Sequence, residues 1–241
     1  GAVTDMFMGA SDIKERTIRA VGDAEIRFSE DALRILRAIR FSATLGFELD
    51  EKTALAVHNK KSLLKAVSAE RIYAEIIKLL GGDFAYGVLE KYGDVILEVM
   101  PTLEAVRLPD RKRFSKAGAQ ERLVALFALG AKNPTAALAA ALDSLHTDSK
   151  IKKLGAAALE NLYTDVSDEA RLLRLLHSLG EAGAEFTARG KCLIIGEECL
   201  DGLLAAKNGR LPYKISDMAV SGSDFVKLGF VGADVGKAME T

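Results

Sequence analysis

Apolar residues recur along the chain mostly at the three- and four-residue intervals typical of amphipathic helices. A helix is predicted after Asp50, because aspartate favours the position before a helix. Another helix is predicted after Ser68, with its end at the Gly81-Gly82 pair. In the segment 29–47, the apolar residues with helical spacing are Leu33, Leu36, Ile39 and Phe41. This helix is predicted to end at Gly46.

The rest of the chain continues this helical pattern. Two short helices are predicted on either side of Gly93, and the second ends at Pro101. Period-two alternation is weak, and only residues 1–8 fit a strand or a sheet edge. The sequence therefore predicts an all-α, multi-helix protein. Further helices are predicted near 117–130, 134–146, 149–163, 167–179 and 191–206, with two short helices and glycine turns within 223–241.

Composition excludes several classes of protein. The 241 residues are 49% hydrophobic, which excludes a disordered chain. Charged residues interrupt every apolar run before the ~18 residues that a membrane helix needs, so we expect no membrane partner. The net charge of −1 gives no overall basic field, and a polyanion would have to contact a local basic patch.

The cysteines and the first residue add two expectations. Cys192 and Cys199 are too few for a disulfide framework and are expected to be core thiols, which favours a reduced, cytoplasmic location. The chain begins with Gly rather than Met, and we expect it to start partway through a longer protein.

Sequence signals of a catalytic centre are absent. No two aspartates are separated by a single residue, so the paired metal-binding carboxylates of most nucleotidyl-transfer enzymes are missing. The three histidines lie far apart in the sequence, and His58 is expected to be exposed on its helix. No phosphate-binding glycine loop or nucleophile elbow occurs. This chain alone is therefore predicted to be inactive.

The densest cluster of charged residues lies on the helix predicted after Ser29. Glu30 and Arg34 are four residues apart and Asp31 and Arg34 are three apart, so the three side chains can meet on one face. One interpretation is structural: Ser29 caps the helix, and the Glu30–Arg34 ion pair stabilises it by roughly 0.3–0.5 kcal/mol. The stripe of arginines along the same helix is Arg34, Arg37 and Arg40.

The other interpretation is a template for a nucleobase. Cytosine and adenine each present an amino donor beside an unprotonated ring nitrogen. Asp31 can accept from that amino group while Arg34 donates to the ring nitrogen, and Glu30 can hold the Arg34 guanidinium in plane. Uracil and guanine present the opposite pattern, a carbonyl acceptor beside a ring N–H donor. Such a pair would admit C and A and reject U and G.

The stretch "IRAVGDAEIRFSEDALRILRAIRFSATLGFELDEKT" closely resembles the neck region of the class II tRNA nucleotidyltransferase (CCA-adding enzyme) and bacterial poly(A) polymerase family. The family's base-selecting Glu-Asp-x-x-Arg motif matches Glu30, Asp31 and Arg34 without departure. "VSAERIYAEIIKLL" is similar to the next neck motif, and "VMPTLE" to the end of the neck. Matching positions elsewhere are Arg27, Phe28, Ser68, Glu70, Arg71, Asp217, Gly222, Asp224, Gly229, Gly232 and Gly236.

The resemblance implies an elongated arrangement, a division of the chain and a set of ligands. It implies a remnant of the head domain at 1–12, the neck at 13–106, a helical body at 107–210 and a tail at 211–241. It implies that CTP and ATP bind at Glu30, Asp31 and Arg34, with Arg37, Arg40 and Arg71 in supporting or triphosphate contacts. Mg²⁺ and the catalytic Asp-x-Asp belong to the family's head domain, which these residues lack. The implied partners are that head domain and the 3′ end of tRNA or another RNA, with no role for DNA.

Two basic clusters are the candidate RNA contacts. The first is Lys60, Lys61 and Lys65. The second lies in a predicted loop at 107–117, beside the expected boundary between neck and body, and comprises Arg111, Lys112, Arg113 and Lys116. Each cluster is also compatible with a solvated surface. The resemblance leaves open CCA addition, A-addition, CC-addition or poly(A) synthesis, and the residues alone leave open a stand-alone RNA-binding module or a helical scaffold.

Overall fold

The computed structural model describes residues 5–209 and 221–240, and helices dominate both parts. The all-α class predicted from the sequence is confirmed. The helices are α1 (Gly9–Lys14), α2 (Ala24–Glu30), α3 (Leu33–Leu45), α4 (Glu51–Lys60), a 3₁₀ helix (Lys61–Ala66), α5 (Ala69–Leu80), α6 (Ala85–Lys91), α7 (Gly93–Val99), α8 (Arg111–Lys116), α9 (Ala119–Gly130), α10 (Pro134–Ser144), α11 (Ser149–Glu160), α12 (Glu169–Ile195), α13 (Leu200–Asn208), α14 (Gly222–Lys227) and α15 (Ala233–Glu240).

Two short strands, which the sequence pattern did not predict, join the ends of α1 and α3. They are β1 (Thr17–Ile18) and β2 (Glu48–Leu49), and they pair in parallel. Two-residue strands are too short to show alternation, which explains why the pattern missed them. The strand expected within residues 1–8 is absent from the described part, 5–8, while residues 1–4 lie outside it.

One continuous apolar core runs from α2 to the end of α12. It includes Phe28 at one end, Leu79 and Phe127 in the middle, and Leu193 at the other. A second, smaller cluster forms where α12 packs on α13 and includes Leu176 and Leu203. Cys199 is buried in this second cluster, as expected of a core thiol, and burial raises the pKa of its thiol. Cys192 is half-buried.

The helix that was expected to begin at Ser29 is in fact two helices. Asp23 caps α2 by accepting from the backbone N–H of Ile26, and Ser29 lies inside α2, where its hydroxyl donates to the carbonyl of Glu25. The chain then becomes extended at Asp31, and α3 follows. The prediction that Glu30, Asp31 and the arginines share one helix is therefore wrong.

Two other helix boundaries also differ from the prediction. Residues 111–116 form α8 rather than a loop, because the Asp110 carboxylate accepts from two backbone N–H groups of its first turn. The helix predicted from 167 continues through a kink at Gly180 (φ 68°) to Ile195. It ends at Gly196, which adopts the left-handed conformation (φ 78°), so the helix predicted for 191–206 starts only at Leu200.

The helices predicted after Asp50 and Ser68 are confirmed as α4 and α5. Asp50 caps α4 by accepting from the N–H of Thr53, whereas the Ser68 side chain makes no capping hydrogen bond. In the tail, the two short helices with glycine turns are also confirmed. Ser221 and Asp224 form a reciprocal cap at α14, and these hydrogen bonds lower the pKa of Asp224 to about 2. The predicted tail position Asp217 lies outside the described residues.

The end of α9 fits closely against the segment that follows α7. The carbonyl of Gly130 accepts from the backbone N–H groups of Glu104 and Ala105. A β-carbon at Gly130 would overlap the carbonyl oxygen of Ala105 and press on the Leu103 side chain. Only glycine permits this approach of two backbones.

Substitution of Gly130 by alanine is expected to lower the free energy of unfolding by roughly 1–3 kcal/mol, the usual cost of overpacking. Urea denaturation followed by circular dichroism measures the change. Gly190→Ala in α12 is the control, because its new β-carbon would meet Ala158 at an ordinary 3.8 Å. Equal stability of the two variants would contradict the close approach at Gly130.

None of the helices in the described ranges combines the length and the apolar character needed to cross a bilayer.

Candidate nucleotide and RNA interface

The break between α2 and α3 fixes the position of Asp31. Its backbone is extended (φ −148°, ψ 100°), and its Oδ1 accepts from the N–H of Leu33 at 3.2 Å. Such a local bond to the backbone competes with helix formation and explains the interruption. The side chains of Glu30 and Arg34 therefore face each other across a turn between two helices.

Glu30 bridges two arginines. Its Oε2 lies 2.8 Å from Arg34 Nη1, and its carboxylate also binds Arg27 Nη1 at 3.0 and 3.1 Å. Hydrogen bonds from Arg34 and then Arg27 lower the pKa of the Glu30 carboxyl. The guanidinium of Arg34 also donates to the carbonyl of Arg27 at 3.1 Å. Two partners thus hold the Arg34 guanidinium, and the spacing of the residues predicted the one with Glu30.

A cleft of about 510 Å³ opens beside this network, and we call it the Arg34 cleft. Its cationic side chains come from the segment after β1 and from α2 and α3, and its floor is apolar. Arg19 reaches it from the segment after β1 and is held by Asp12 at 3.1 Å, which raises the pKa of the guanidinium. The lining residues are Ile18, Arg19, Ala20, Val21, Arg27, Phe28, Arg34, Arg37, Ala38, Phe41 and Thr53.

The predicted nucleotide-binding residues are only partly brought together. Arg34 and Arg37 line the cleft. Asp31 lies at the same turn, but its nearest ion-pair partner is Arg71, with Oδ2 and Nη2 3.6 Å apart. Arg40 is half-buried in an ion pair with Glu75 at 2.6 Å and stacks on the Phe41 ring at 3.9 Å. Arg40 therefore contributes to packing between α3 and α5.

The lysine cluster at the start of the 3₁₀ helix is neutralised by acids. Lys60 pairs with Glu25 at 3.4 Å, Lys61 with Asp94 at 2.7 Å, and Lys65 with Glu98 at 2.8 Å. Exposed ion pairs of this kind are weak, so a phosphate can compete for the lysines. Each lysine nevertheless already has an acidic partner, and the cluster has little net positive charge. Its role in RNA binding stays a prediction.

His58 is not simply exposed, as its position beside these lysines had suggested. Its ring stacks on Tyr92, with centroids 5.3 Å apart, and its Nδ1 lies 2.9 Å from Asp94 Oδ2. Burial of Asp94 opposes ionisation, but the hydrogen bonds from Lys61 and His58 outweigh it and lower the pKa of the carboxyl. These contacts join α4 to α7, which sequence spacing cannot predict.

The second basic cluster lies on α8. Arg111 pairs with Glu90 at 2.9 Å and stacks over the Tyr86 ring at 4.4 Å. Arg113 donates to the carbonyl of Cys192 and so binds α12. Lys112 and Lys116 are exposed and make no ion pair with any residue in the described ranges. They are the positive charges of this cluster that remain open to an anion.

Within the described ranges, no group of three or more His, Cys, Asp or Glu side chains is arranged to bind a metal ion.

The sequence pattern predicted roles for Glu30 and Arg34 but none for Arg27 or Arg19. Arg27 is three residues before Glu30, so the same spacing rule that paired Glu30 with Arg34 could have found it. Arg19 lies across the cleft from α3 in the fold, and no local spacing signals it.

Comparison with known proteins identifies relatives of this arrangement. A family model described as "Probable RNA and SrmB- binding site of polymerase A" matches residues 46–93. The CCA-adding enzyme of Lactococcus lactis subsp. cremoris (strain MG1363) is 51% identical over 83 residues, 34% of this chain and 21% of that enzyme. The CCA-adding enzyme of Lactobacillus delbrueckii subsp. bulgaricus (strain ATCC BAA-365 / Lb-18) is 52% identical over 84 residues. The matched region is thus about a fifth of the length of these relatives.

Solved structures share the fold over nearly the whole chain. The Bacillus stearothermophilus CCA-adding enzyme in complex with CTP has a TM-score of 0.75 and 26% identity, and the match covers 98% of this chain and 62% of that one. A CCA-adding enzyme in complex with ATP has a TM-score of 0.65 at 18% identity and is similar in fold alone.

Proposed function

The chain belongs to the class II CCA-adding enzyme and poly(A) polymerase family, and on that premise we propose that it is the neck, body and tail of a tRNA nucleotidyltransferase. In this proposal the intact enzyme adds C and A to RNA 3′ ends. The part within residues 1–241 selects the base of the incoming CTP or ATP and binds tRNA, and it works in the cytoplasm with RNA rather than DNA. The proposed boundaries are 1–12 for the head remnant, 13–106, 107–210 and 211–241.

The observation that carries the proposal is the Arg27–Glu30–Arg34 network beside the Arg34 cleft. A guanidinium bound by a carboxylate and a carbonyl loses freedom before the ligand arrives, which favours a fixed hydrogen-bonding edge. The cleft combines that edge with an apolar floor at Phe28 and Phe41, as expected for a flat heterocycle. Its volume of about 510 Å³ is ample for a nucleotide base and sugar.

We assign the following roles to this chain's own side chains. Arg34 donates to the unprotonated ring nitrogen of cytosine or adenine, and Glu30 fixes its orientation. Asp31 exchanges its loose 3.6 Å contact with Arg71 for the amino group of the base. Arg37 and Arg19 lie at the cleft wall, where their positive charges suit the triphosphate.

The metal belongs to another part of the proposed enzyme. Mg²⁺ would stabilise the charge that develops on the phosphates during transfer. The described residues of this chain offer no set of ligands for it, so we assign none of them to the metal and derive no step through it.

The test is product analysis with the full-length protein encoded by the gene of this chain. Its substrates are a tRNA transcript that ends before CCA, with CTP and ATP supplied separately and together. We expect two cytidines with CTP alone, and a complete CCA end with both nucleotides. Long adenylate tails with ATP alone would instead identify a poly(A) polymerase, which the same base template also fits. RNA binding without incorporation would identify a non-catalytic helical RNA-binding module.

A further inference from the structure

A second cleft, of about 450 Å³, lies between the turn after α3, helix α6 and helix α8. It shares no lining residue with the Arg34 cleft. Aromatic rings and cationic side chains line it together with the carboxylates of Glu48 and Asp83, and we call it the Phe84 cleft. Its lining also includes Gly46, Phe84, Gly87, Lys91, Arg111 and Lys112.

The ring of Phe84 is held on the backbone of the turn. Gly46 is in the left-handed conformation (φ 66°), and a β-carbon there would come within 2.6–2.7 Å of the ring atoms. The ring therefore packs directly on the glycine, yet the residue remains 49% exposed. A fixed and exposed aromatic ring is a suitable platform for stacking a nucleobase.

Gly87 leaves open space in the cleft. Glycine lies here within α6, where alanine would form the helix better. Close packing does not explain it, because apart from its chain neighbours and the local helix backbone no atom lies within 4 Å of a β-carbon built at this position. A side chain at 87 would project into the cleft, so glycine keeps the volume free at a cost to the helix.

The charges around the cleft suit a phosphate. Lys91 pairs with Glu48 at 2.6 Å, and Arg111 pairs with Glu90 at 2.9 Å, but all four side chains are about half-exposed or more. Exposed ion pairs are worth little and exchange readily for a phosphate. Lys112 makes no ion pair with any residue of the described ranges and adds an open positive charge.

We propose that the Phe84 cleft binds one unpaired nucleotide of the bound RNA. Its base stacks on Phe84 over the space left by Gly87. Its phosphate is bound by Lys91, Arg111 and Lys112. The inference rests on the proposed RNA binding and adds a second nucleotide site to it, apart from the site for the incoming CTP or ATP. Residues 46, 84, 87 and 91 of this cleft fall inside the segment that matches the RNA-binding family model.

The test fills the cleft with Gly87→Leu in the 241-residue chain. Fluorescence anisotropy measures the affinity of the chain for a labelled tRNA transcript and for a labelled, blunt, fully paired RNA duplex. We expect Gly87→Leu to weaken tRNA binding about tenfold, as loss of one stacked base does, and to leave duplex binding unchanged. Gly87→Ala adds a single methyl group and should weaken tRNA binding less. Ala140→Leu, at an exposed helical position of α10, is the matched control.

The outcomes separate this inference from the proposed function. If the parent chain binds tRNA and Gly87→Leu binds it equally well, the cleft does not hold a nucleotide, although the RNA-binding function stands. Equal weakening for tRNA and duplex would also overturn the inference, because it indicates a general surface effect. No binding by the parent chain would overturn both. Thermal unfolding of each variant confirms folding, and ultraviolet crosslinking of Phe84 to the transcript is expected in the parent chain but not in Gly87→Leu.

Discussion

Replacing Arg122 by methionine is expected to lower the free energy of unfolding by about 3 kcal/mol or more, since hydrogen bonds to a charged group contribute about 1.5–3 kcal/mol each. Arg122 is buried at 4% exposure. Its guanidinium donates to the carbonyls of Leu80 and Gly82 at the end of α5, and to those of Phe114 and Ser115 in α8. Methionine would fill much of the volume but leave these acceptors without their donor.

The position of these carbonyls explains why a cation is stabilised there. They lie in the last turns of α5 and α8 or, for Gly82, just after α5, where the helix dipole is negative. Burial still lowers the pKa of the guanidinium, because desolvation disfavours its charge. Arg122 therefore joins α5, in the proposed neck, to α8 and α9, in the proposed body, and its loss should separate two halves of one core.

Urea denaturation measures the free energy of unfolding of Arg122→Met, and Arg174→Met is the control. Arg174 is exposed on α12, and surface substitutions of this kind change stability by less than about 0.5 kcal/mol. Arg122→Lys keeps the charge but cannot reach four carbonyls at once, so we expect an intermediate loss. A loss below about 1 kcal/mol for Arg122→Met would show that the interhelical hydrogen bonds contribute little net stability.

The spacing of apolar residues predicted most of the helices correctly. The predicted helix boundaries are wrong where a single side chain or glycine decides between two local structures. Helices such as α5 and α9 follow from the spacing of their apolar residues. The break at Asp31 does not, because it depends on whether its carboxylate bonds to the N–H of Leu33 or to water. The helix predicted to end near 179 instead continues through a kink at Gly180 to Ile195, and α12 packs on α9, α11 and α13.

The candidate site divides in the same way. The Glu30–Arg34 contact joins residues four positions apart and was predicted from their spacing. The contact of Asp31 with Arg71 joins residues forty positions apart, and no spacing rule reaches that far. The open space at Gly87 is likewise a property of the fold, since the sequence shows only a glycine in an otherwise helical segment.

Loss of base selection is the largest functional effect that we expect, and it concerns Asp31 and Arg34. In the full-length protein, Asp31→Ala combined with Arg34→Ala should reduce the preference for CTP over UTP by about a hundredfold, because each good base contact discriminates by about 1–3 kcal/mol. The measurement is the ratio of kcat/KM for the two nucleotides on a tRNA transcript that lacks CCA. Since the lost contacts distinguish bases rather than phosphates, overall triphosphate binding should fall much less than selectivity.

The matched control removes one acidic and one basic side chain at another place in the protein. Asp143→Ala with Lys152→Ala deletes an ion pair between α10 and α11, so it changes the same two kinds of charge far from the cleft in sequence. Glu30→Gln provides the intermediate case: the amide still accepts one hydrogen bond but no longer attracts Arg34 and Arg27 by charge, so the guanidinium is held less firmly and selectivity should fall about tenfold at most. Unchanged CTP preference in the Asp31 and Arg34 double variant would refute the template, and the Arg27–Glu30–Arg34 network would then be a contact between helices α2 and α3 alone.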